Sequence, residues 1–460
     1  MRLLSSPWSS LLVLALATGC GSAGSTRAQG FLDRGDYPGA AQAADAELSK
    51  RPSDAALHRI RLRAALGMGD ARGAVDHYQA WRGGKHEDLA GLRTMAMTTL
   101  WQGLKSPSAQ LRVQAVRAIE RLQLEDFAVA VGERMGDDDD AVAAAAAVAV
   151  MRTYGQAGEV AERMLQSEDP AARAIAVEGI GRKVGAPAGD DLRAALTDRD
   201  PRVRAAAVFA VGRLGDGADT ANLVLRAADP SAEVRAIAIR ALAAGKRGPH
   251  DAVVDRGLGD DALGVRLAAV ELAFAGRGQG GARALLTHRD PMVAAQAARL
   301  IKDPAAATPV LDRALAADDV ATRVGAVGLV NAALGKTRAL ARARTATADA
   351  APAVRVAAAR LLGYLGDRAG AINVLAEVAA GADRDASIDA AAELIHLGDE
   401  RGRDVLARAA ADPEPLVRRD VVFAHLAARV ITPGLWLALA DDSASNRLDA
   451  AATLIELGAR

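Results

Sequence analysis

The sequence predicts an all-α fold, specifically an α-solenoid of stacked helical hairpins. Three observations carry the prediction: one short stretch reads as an amphipathic helix with both ends marked, it recurs at a nearly constant period, and the composition suits close helix packing. Of the 460 residues, 51% are hydrophobic but only 3% are aromatic. Small apolar side chains suit helices that pack tightly at many similar interfaces.

The repeated stretch reads D-P-R-V-R-A-A-A-V-F-A-V-G-R-L-G at residues 200–215. Asp200 is a favourable N-cap, Pro201 suits the first helical position, and Gly215 can end the helix. Between them, apolar residues recur at the spacing of one helical face. The stretch therefore predicts one amphipathic helix.

The same register recurs twelve times over residues 105–460, at spacings of 28 to 34 residues. Shorter apolar segments between the copies predict a second helix for each hairpin. Eight copies place an arginine at one position of the register: Arg112, Arg173, Arg204, Arg235, Arg266, Arg323, Arg355 and Arg418. Four copies have another residue there: Ala143, Ala294, Asp389 and Asp449.

These copies resemble HEAT repeats, in particular the short, alanine-rich HEAT-like class first named in phycobiliprotein lyases. The pattern of that class, D-P-x-V-R-x-x-A-x-x-A-L-G-x-L-G-D, is similar to residues 200–216 and 352–367. The resemblance implies a right-handed solenoid, and twelve hairpins with helices about 8–10 Å apart predict a curved rod roughly 100 Å long or more. It implies little about function, because the same scaffold serves enzymes, binding proteins and spacers.

The first 19 residues have the parts of a bacterial lipoprotein signal peptide: Arg2, a short apolar run, and small residues directly before Cys20. Cys20 is the single cysteine of the chain and is the predicted lipidation site. An ordinary cleaved signal peptide with an incidental cysteine is the alternative. Gly21 after the cysteine resembles an outer-membrane sorting signal, so we expect a lipid-anchored protein of the bacterial cell envelope, at the outer membrane and facing the periplasm.

Residues 20–30 are rich in glycine and serine and predict a flexible tether. Residues 31–104 resemble tetratricopeptide (TPR) repeats, because Gly35-Asp36 recurs as Gly69-Asp70 after 34 residues, with a small residue five positions after each glycine. The first of these hairpins lacks its opening helix in this interpretation. Residues 105–460 form the HEAT-like solenoid.

The charge balance is neutral, with 57 basic and 57 acidic side chains, which argues against nucleic acid as a partner. Iron-dependent hydroxylases on this scaffold carry paired His-Glu motifs, whereas this chain has one such pair, His86-Glu87. The sequence predicts no metal, no cofactor and no catalytic residue. Whether the chain is an enzyme stays open, although the pattern favours a protein without catalysis.

The repeated arginines are expected to form a ladder of inter-repeat hydrogen bonds with the capping aspartates four to six positions earlier, which stabilises the stack. An anion-binding strip is the alternative. Most of the scarce aromatic residues are expected in the core, and Trp436 is the candidate anchor for a partner. Irregular copies place the predicted contact surface between Gly276 and the C-terminus, with the TPR-like hairpins as a second contact.

The favoured function is a protein-protein interaction scaffold that binds an unidentified protein or peptide and meets the membrane through its lipid anchor only. The first alternative is a lyase-like or cofactor-handling protein, as the resemblance allows. The second is a purely structural spacer. One specific co-purifying partner would distinguish the scaffold from the spacer.

Overall fold

The computed structural model describes residues 23–458, apart from 84–86, 152–154 and 246–249. The signal peptide and Cys20 lie outside these residues. Every regular element in the described part is helical, with no strand, so the prediction of an all-α fold is confirmed. The chain divides into two compact units, residues 1–98 and 99–460.

The first unit consists of short helices that pack on each other in chain order. Its helices are α1 (Ala23–Asp33), α2 (Tyr37–Leu48), α3 (Ala55–Gly67), α4 (Ala71–Arg82) and the start of α5 (Leu89–Leu104). Gly35 and Gly69 both adopt a φ of 74°, which favours glycine, at the turns before α2 and α4. Ala40 and Ala74 are fully buried five residues later, so the two copies share the turn and the close helix contact.

The flexible tether predicted over residues 20–30 is wrong from Ala23 onward, where α1 begins. Ala28 and Leu32 of α1 are buried in the same apolar cluster as Ala40 of α2. This segment therefore supplies the opening helix that the sequence interpretation left out. Glycine and serine lower its intrinsic helix propensity, but burial of one face against α2 outweighs that preference.

The second unit is built from two rows of helices. We call the first row the ladder helices, because they carry the repeated arginines: α6 (Ala109–Leu122), α8 (Asp140–Val150), α10 (Pro170–Lys183), α12 (Pro201–Leu214), α14 (Ala232–Ala244), α16 (Leu263–Arg283), α17 (Pro291–Leu300), α19 (Val320–Leu334), α21 (Pro352–Leu365), α23 (Arg384–His396), α25 (Pro415–Ala428) and α27 (Ala444–Leu457). The second-row helices alternate with them: α7 (Ala128–Glu133), α9 (Gly155–Met164), α11 (Gly189–Ala194), α13 (Thr220–Arg226), α15 (Asp251–Leu258), α18 (Pro304–Leu315), α20 (Lys336–Ala346), α22 (Arg368–Ala379), α24 (Arg401–Ala409) and α26 (Pro433–Leu437). Helix α16 spans both rows, with a break at Gly278 (φ 57°, ψ −144°).

Helix α12 shows why each ladder helix forms where it does. The Asp200 carboxylate accepts a hydrogen bond from the Arg202 backbone N–H, Pro201 occupies the first turn, and Gly215 ends the helix at a φ of 72°. One face of the helix, which includes Val203 and Val211, is buried. The caps and the apolar face both agree with the sequence prediction.

The ladder helices pack side by side in chain order, and the last of them, α27, packs against the first, α6. The Gln114 amide nitrogen donates to the Asp449 carboxylate at 2.8 Å and to the Ser445 carbonyl at 3.1 Å. Beside them, Arg121 and Glu456 form an ion pair at 3.4 Å. The second unit therefore closes into a ring. The curved rod predicted from the repeats is wrong, because the curvature of twelve copies brings the last ladder helix back to the first.

Candidate functional site

Each ladder arginine that has a complete set of partners binds two successive repeats. Arg204 donates through Nε and Nη2 to both carboxylate oxygens of Asp229, at 2.8 and 2.7 Å. Its Nη1 donates to the backbone carbonyls of Asp198 and Arg199. The same pattern is found for Arg173, Arg235, Arg323 and Arg418 with Asp198, Asp260, Asp349 and Asp441. Arg266 donates through Nε to one oxygen of Asp290, and Arg112 donates through Nη2 to one oxygen of Asp137.

The carboxylate partner of each arginine lies in the next repeat, about 25 residues later. The expected pairing with an aspartate side chain four to six positions earlier is wrong, since the groups contacted there are backbone carbonyls. Asp198 illustrates the link: its carboxylate binds Arg173 and its carbonyl binds Arg204. The hydrogen bonds from Arg173 hold the pKa of Asp198 below its usual range. A guanidinium engaged on three nitrogens has little capacity left for an external anion, which argues against the anion strip.

The ladder is interrupted at several copies. Arg355 reaches the Asp349 carbonyl at 3.4 Å, and no carboxylate contact to it is seen among the described residues.

In α23 and α27 the residues at which the helices begin show that the predicted register is displaced by two residues. The ladder position of α27 is Arg447, which donates to the Asp441 carbonyl, and that of α23 is Ser387, so Asp389 and Asp449 do not occupy it.

Most ladder helices also have a solvent-exposed stripe, whereas α8, α17 and α27 have only buried and half-buried residues. The flanks of each ladder helix contact neighbouring ladder helices and a third side contacts the second row. Second-row helices touch one another at few of the described places, as expected for the outer layer of a curved array. The fourth side of each ladder helix therefore faces the space enclosed by the ring, and we call this surface the inner face.

Several large apolar side chains lie exposed on the inner face. Phe209 is 53% exposed, Tyr364 is 77% exposed and Phe423 is 42% exposed, so the expectation that most aromatic residues are core is wrong for these three. The guanidinium of Arg213 lies over Phe209 and that of Arg419 over Phe423, at 5.8 and 5.3 Å from the ring centroids.

Trp436 does not lie on any exposed surface. It belongs to α26 in the second row and is 1% exposed, so its prediction as a partner anchor is wrong. Thr432 is the N-cap of α26 and Pro433 begins the helix, which buries Gly434, Leu435 and Trp436. A buried tryptophan contributes to stability through its large apolar area.

The charges of the inner face are segregated. Helices α23 and α25 carry Asp385, Asp389, Glu393 and Asp420, and Asp449 follows on α27. Burial raises the pKa of Asp389, as do the nearby charges of Asp385, Asp420 and Glu393, whereas Arg360 opposes the shift. These carboxylates therefore lie close enough together to repel one another.

The comparisons with known proteins agree with this geometry. A family model for HEAT repeats matches residues 159–243, which contain α10, α12 and α14. The second unit is a HEAT-repeat helical solenoid. Within the matched residues, the HEAT repeats account for these ladder helices and for the second-row helices α11 and α13 between them.

The HEAT-repeat chain also resembles two solved structures. One is the X-ray structure of YibA from Escherichia coli, with 19% sequence identity and a TM-score of 0.40, covering 54% of this chain and 98% of that chain. The other is the crystal structure of an engineered protein, with 19% identity and a TM-score of 0.25, covering 82% of this chain and 96% of that chain. A comparison with curated proteins gave no match.

A notch interrupts the HEAT-repeat ring above α8. This helix has 11 residues, whereas its neighbours α6 and α10 each have 14. Arg182 and Lys183 of α10 reach over its end to Glu120 of α6, at 2.9 and 3.4 Å. The notch has a volume of about 1020 Å³, and Val148 and Met151 contribute to an apolar floor below this charged rim.

The histidines of the HEAT repeats are not arranged as metal ligands. His425 is fully buried, with Nδ1 2.7 Å from the Val421 carbonyl and Nε2 2.7 Å from the Thr432 hydroxyl. Burial lowers the pKa of His425 to about 4. Across the described residues no three His, Cys, Asp or Glu side chains lie together as a metal site, and His86 falls outside those residues.

Sequence reasoning missed the inner face and the ring closure. The available signal was the stripe at helix positions such as Leu416, Asp420 and Phe423, where polar and aromatic residues replace the alanines of a buried face. That pattern identifies an exposed stripe on one helix, but it does not show that the stripes of separate ladder helices face one common space. Among the described helices, none is long and apolar enough to cross a bilayer.

Proposed function

We propose that this protein is a non-catalytic interaction scaffold, lipid-anchored at Cys20 in the bacterial cell envelope, whose HEAT-repeat ring binds a protein or peptide. The observation that carries the proposal is the exposure of Phe209, Tyr364 and Phe423 on the inner face. Aromatic side chains flanked by arginine are typical of residues that contribute most to protein-protein binding. Their exposure in a concave surface favours an occupant within the ring.

The size of the enclosed space limits the occupant. Twelve ladder helices about 9–10 Å apart give a ring on the order of 35 Å across between opposite helix axes. Subtracting the helices themselves leaves an opening on the order of 25 Å. One or two helices, or an extended segment, fit within this opening, whereas a folded domain does not.

Photo-crosslinking in the native host tests the scaffold proposal. A photoreactive amino acid in place of Tyr364 on the inner face should crosslink to one discrete protein, identified by mass spectrometry. The control position is Leu225 on second-row helix α13, which is 60% exposed and faces away from the ring interior. Equal crosslinking from both positions, or none from Tyr364, would contradict the proposal.

The notch above α8 is the observation that favours the cofactor-handling alternative. Its apolar floor and charged rim suit a small amphipathic molecule. Native mass spectrometry of the protein purified from its host tests this alternative. A bound small molecule that is lost on Ala149→Trp, a substitution that adds bulk at a half-buried residue lining the notch, would support it.

A further inference from the structure

We propose that the inner face of α21, α23 and α25 binds a cationic amphipathic segment of the partner protein. This inference rests on the proposed scaffold function and names the chemistry of its partner. It is carried by two arrangements on three consecutive ladder helices: a row of carboxylates in the middle and exposed apolar side chains on both sides.

The carboxylate row lies on α23. Asp385, Asp389 and Glu393 follow each other at four-residue intervals, which places them on one side of the helix with a rise of about 6 Å between successive residues. Asp420 of α25 adds a fourth carboxylate to the row, since its charge acts on Asp389. Basic residues spaced by one helical turn in a partner helix would match this row.

Most of this negative charge is not neutralised within the protein. Glu393 accepts a hydrogen bond from Arg360 at 2.7 Å. For Asp385, Asp389 and Asp420, no cation or hydrogen-bond donor contacts the carboxylate in the part of the chain that the structure describes. Arg419, the nearest cation on α25, is already paired with Asp449 at 2.8 Å.

Apolar side chains flank the carboxylates. Tyr364 lies on α21 and is 77% exposed, while Leu416 and Phe423 lie on α25 and are 64% and 42% exposed. Leu416, Asp420 and Phe423 form one stripe at helical spacing, opposite the side that buries Val421 and Val422. The surface thus offers apolar contacts for the hydrophobic face of a segment and carboxylates for its basic side chains.

Charge elsewhere on the inner face restricts a cationic segment to this arc. Helices α12 and α14 expose Arg213 and Arg240, which repel a cation. An acidic segment would instead be attracted to the arginines of α12 and α14 and repelled by the carboxylates of α23. The segregation of charge around the ring therefore determines both the sign of the partner's charge and the place where it binds.

Fluorescence anisotropy with purified full-length protein tests the inference. The probes are a labelled helical peptide of leucine and lysine with an amphipathic pattern, and its counterpart with glutamate in place of lysine. We expect the lysine peptide to bind, the glutamate peptide not to bind, and rising salt to weaken the lysine complex. No binding of the lysine peptide, or equal binding of both peptides, would overturn the inference.

Matched substitutions locate the site. Asp389→Asn combined with Asp420→Asn should weaken the lysine peptide roughly five- to thirtyfold, since each exposed pair contributes a modest amount. The control, Glu377→Gln combined with Asp404→Asn, removes the same charge from exposed positions on second-row helices α22 and α24 and should leave affinity unchanged. Equal weakening by both pairs would overturn the inference.

A second variant separates the apolar contribution to peptide binding from the electrostatic contribution. Phe423→Ser keeps all charges and should still weaken the lysine peptide, because it removes an apolar contact; unchanged affinity would overturn the inference. Circular dichroism checks that each variant remains helical. Crosslinking from Tyr364 to a partner without a basic segment would refute this inference and leave the scaffold proposal standing, whereas absence of any crosslink would refute the scaffold.

Discussion

Arg204 and Asp229 form a bidentate ion pair across the boundary between two repeats: Nε and Nη2 of Arg204 lie 2.8 and 2.7 Å from the two carboxylate oxygens of Asp229. The Asp229 side chain is 0% exposed and that of Arg204 is 12% exposed. Burial opposes the ionised carboxylate, yet the hydrogen bonds from Arg204 and from the Ser231 backbone outweigh burial and lower the pKa of Asp229. The pair fixes one repeat against the next through a planar, directional contact.

Removing this arginine should destabilise the ring. Arg204→Ala leaves the buried Asp229 without its main partner, and we expect a loss of about 2–4 kcal/mol in the free energy of unfolding. The matched control is Arg202→Ala on the same helix, which removes an exposed pair with Asp200 and should change stability by less than about 1 kcal/mol. Urea denaturation followed by circular dichroism measures both. Equal losses of unfolding free energy in the two variants would show that the Arg204–Asp229 pair stabilises the fold no more than an exposed ion pair does.

The seam between α6 and α27 can be opened by one substitution. A Cβ added to Gly103 would lie 2.6 Å from Leu448 Cδ2 and 2.9 Å from Ala115 Cβ, so Gly103→Val overpacks the seam. We expect helix content to persist and the radius of gyration in small-angle scattering to increase. Gly132→Val is the control, since no atom lies within 4 Å of its added Cβ. An unchanged radius for Gly103→Val would argue against the closed ring.

His425 should make stability depend on pH in the weakly acidic range. Its folded pKa of about 4 lies below the ordinary value of about 6.5, so the unfolded chain binds a proton first as pH falls. The free energy of unfolding should therefore decrease between about pH 6.5 and pH 4, by up to about 3 kcal/mol. His425→Leu should remove this step, and His396→Asn, at an exposed histidine, should retain it. Urea titrations across this range decide the outcome.

Asp389 should change the free energy of unfolding with pH in the opposite direction to His425. Its pKa is raised in the folded protein by burial and by Asp385, Asp420 and Glu393, although Arg360 partly compensates. Ionisation therefore opposes folding above that pKa, and Asp389→Asn should raise the melting temperature at pH 7. This gain in melting temperature should disappear below the ordinary aspartate pKa of about 3.9, where Asp389 is protonated in both the folded and the unfolded wild-type protein. A variant that melts below the wild type at pH 7 would contradict this prediction.

The anchor proposal predicts a change of cellular fraction. Cys20→Ala removes the thiol that would carry the lipid, so the protein should move from the membrane fraction to the soluble periplasm with its fold intact. Fractionation followed by immunoblotting measures the distribution, and mass spectrometry of the mature N-terminus measures the acyl chains. A wild-type protein that is already soluble would refute the lipid anchor.

The helices of the second unit were predictable because their signals are local. An Asp or Ser cap, a proline in the first turn and an apolar face all lie within one helix, as in α12. The partners of the arginines were not predictable in the same way. Asp229 lies in the turn of the following repeat, and the geometry of that turn directs its side chain to Arg204 and its carbonyl to Arg235.

The candidate site was harder to predict than the fold. In the sequence, Thr432-Pro433-Gly434 resembles a loop before Trp436, yet these residues begin α26, and this helix buries the indole. Asp389 and Asp449 were assigned to the ladder because a period alone cannot fix a register to within two residues; the caps at Asp383 and Ser443 fix it. The irregular copies do carry the exposed Tyr364 and Phe423 within the predicted range from Gly276 to the C-terminus, although which residues contact a partner stays a prediction.

Closure of the second unit has a consequence for the evolution of this chain. Open solenoids tolerate gain or loss of whole repeats, because each repeat contacts only its neighbours. Here twelve ladder helices share one full turn, about 30° each, so an array with one copy more or fewer would not meet its own start. The number of repeats is therefore fixed by ring closure. Duplication or deletion of one repeat would require a different angle between neighbouring repeats at every remaining interface.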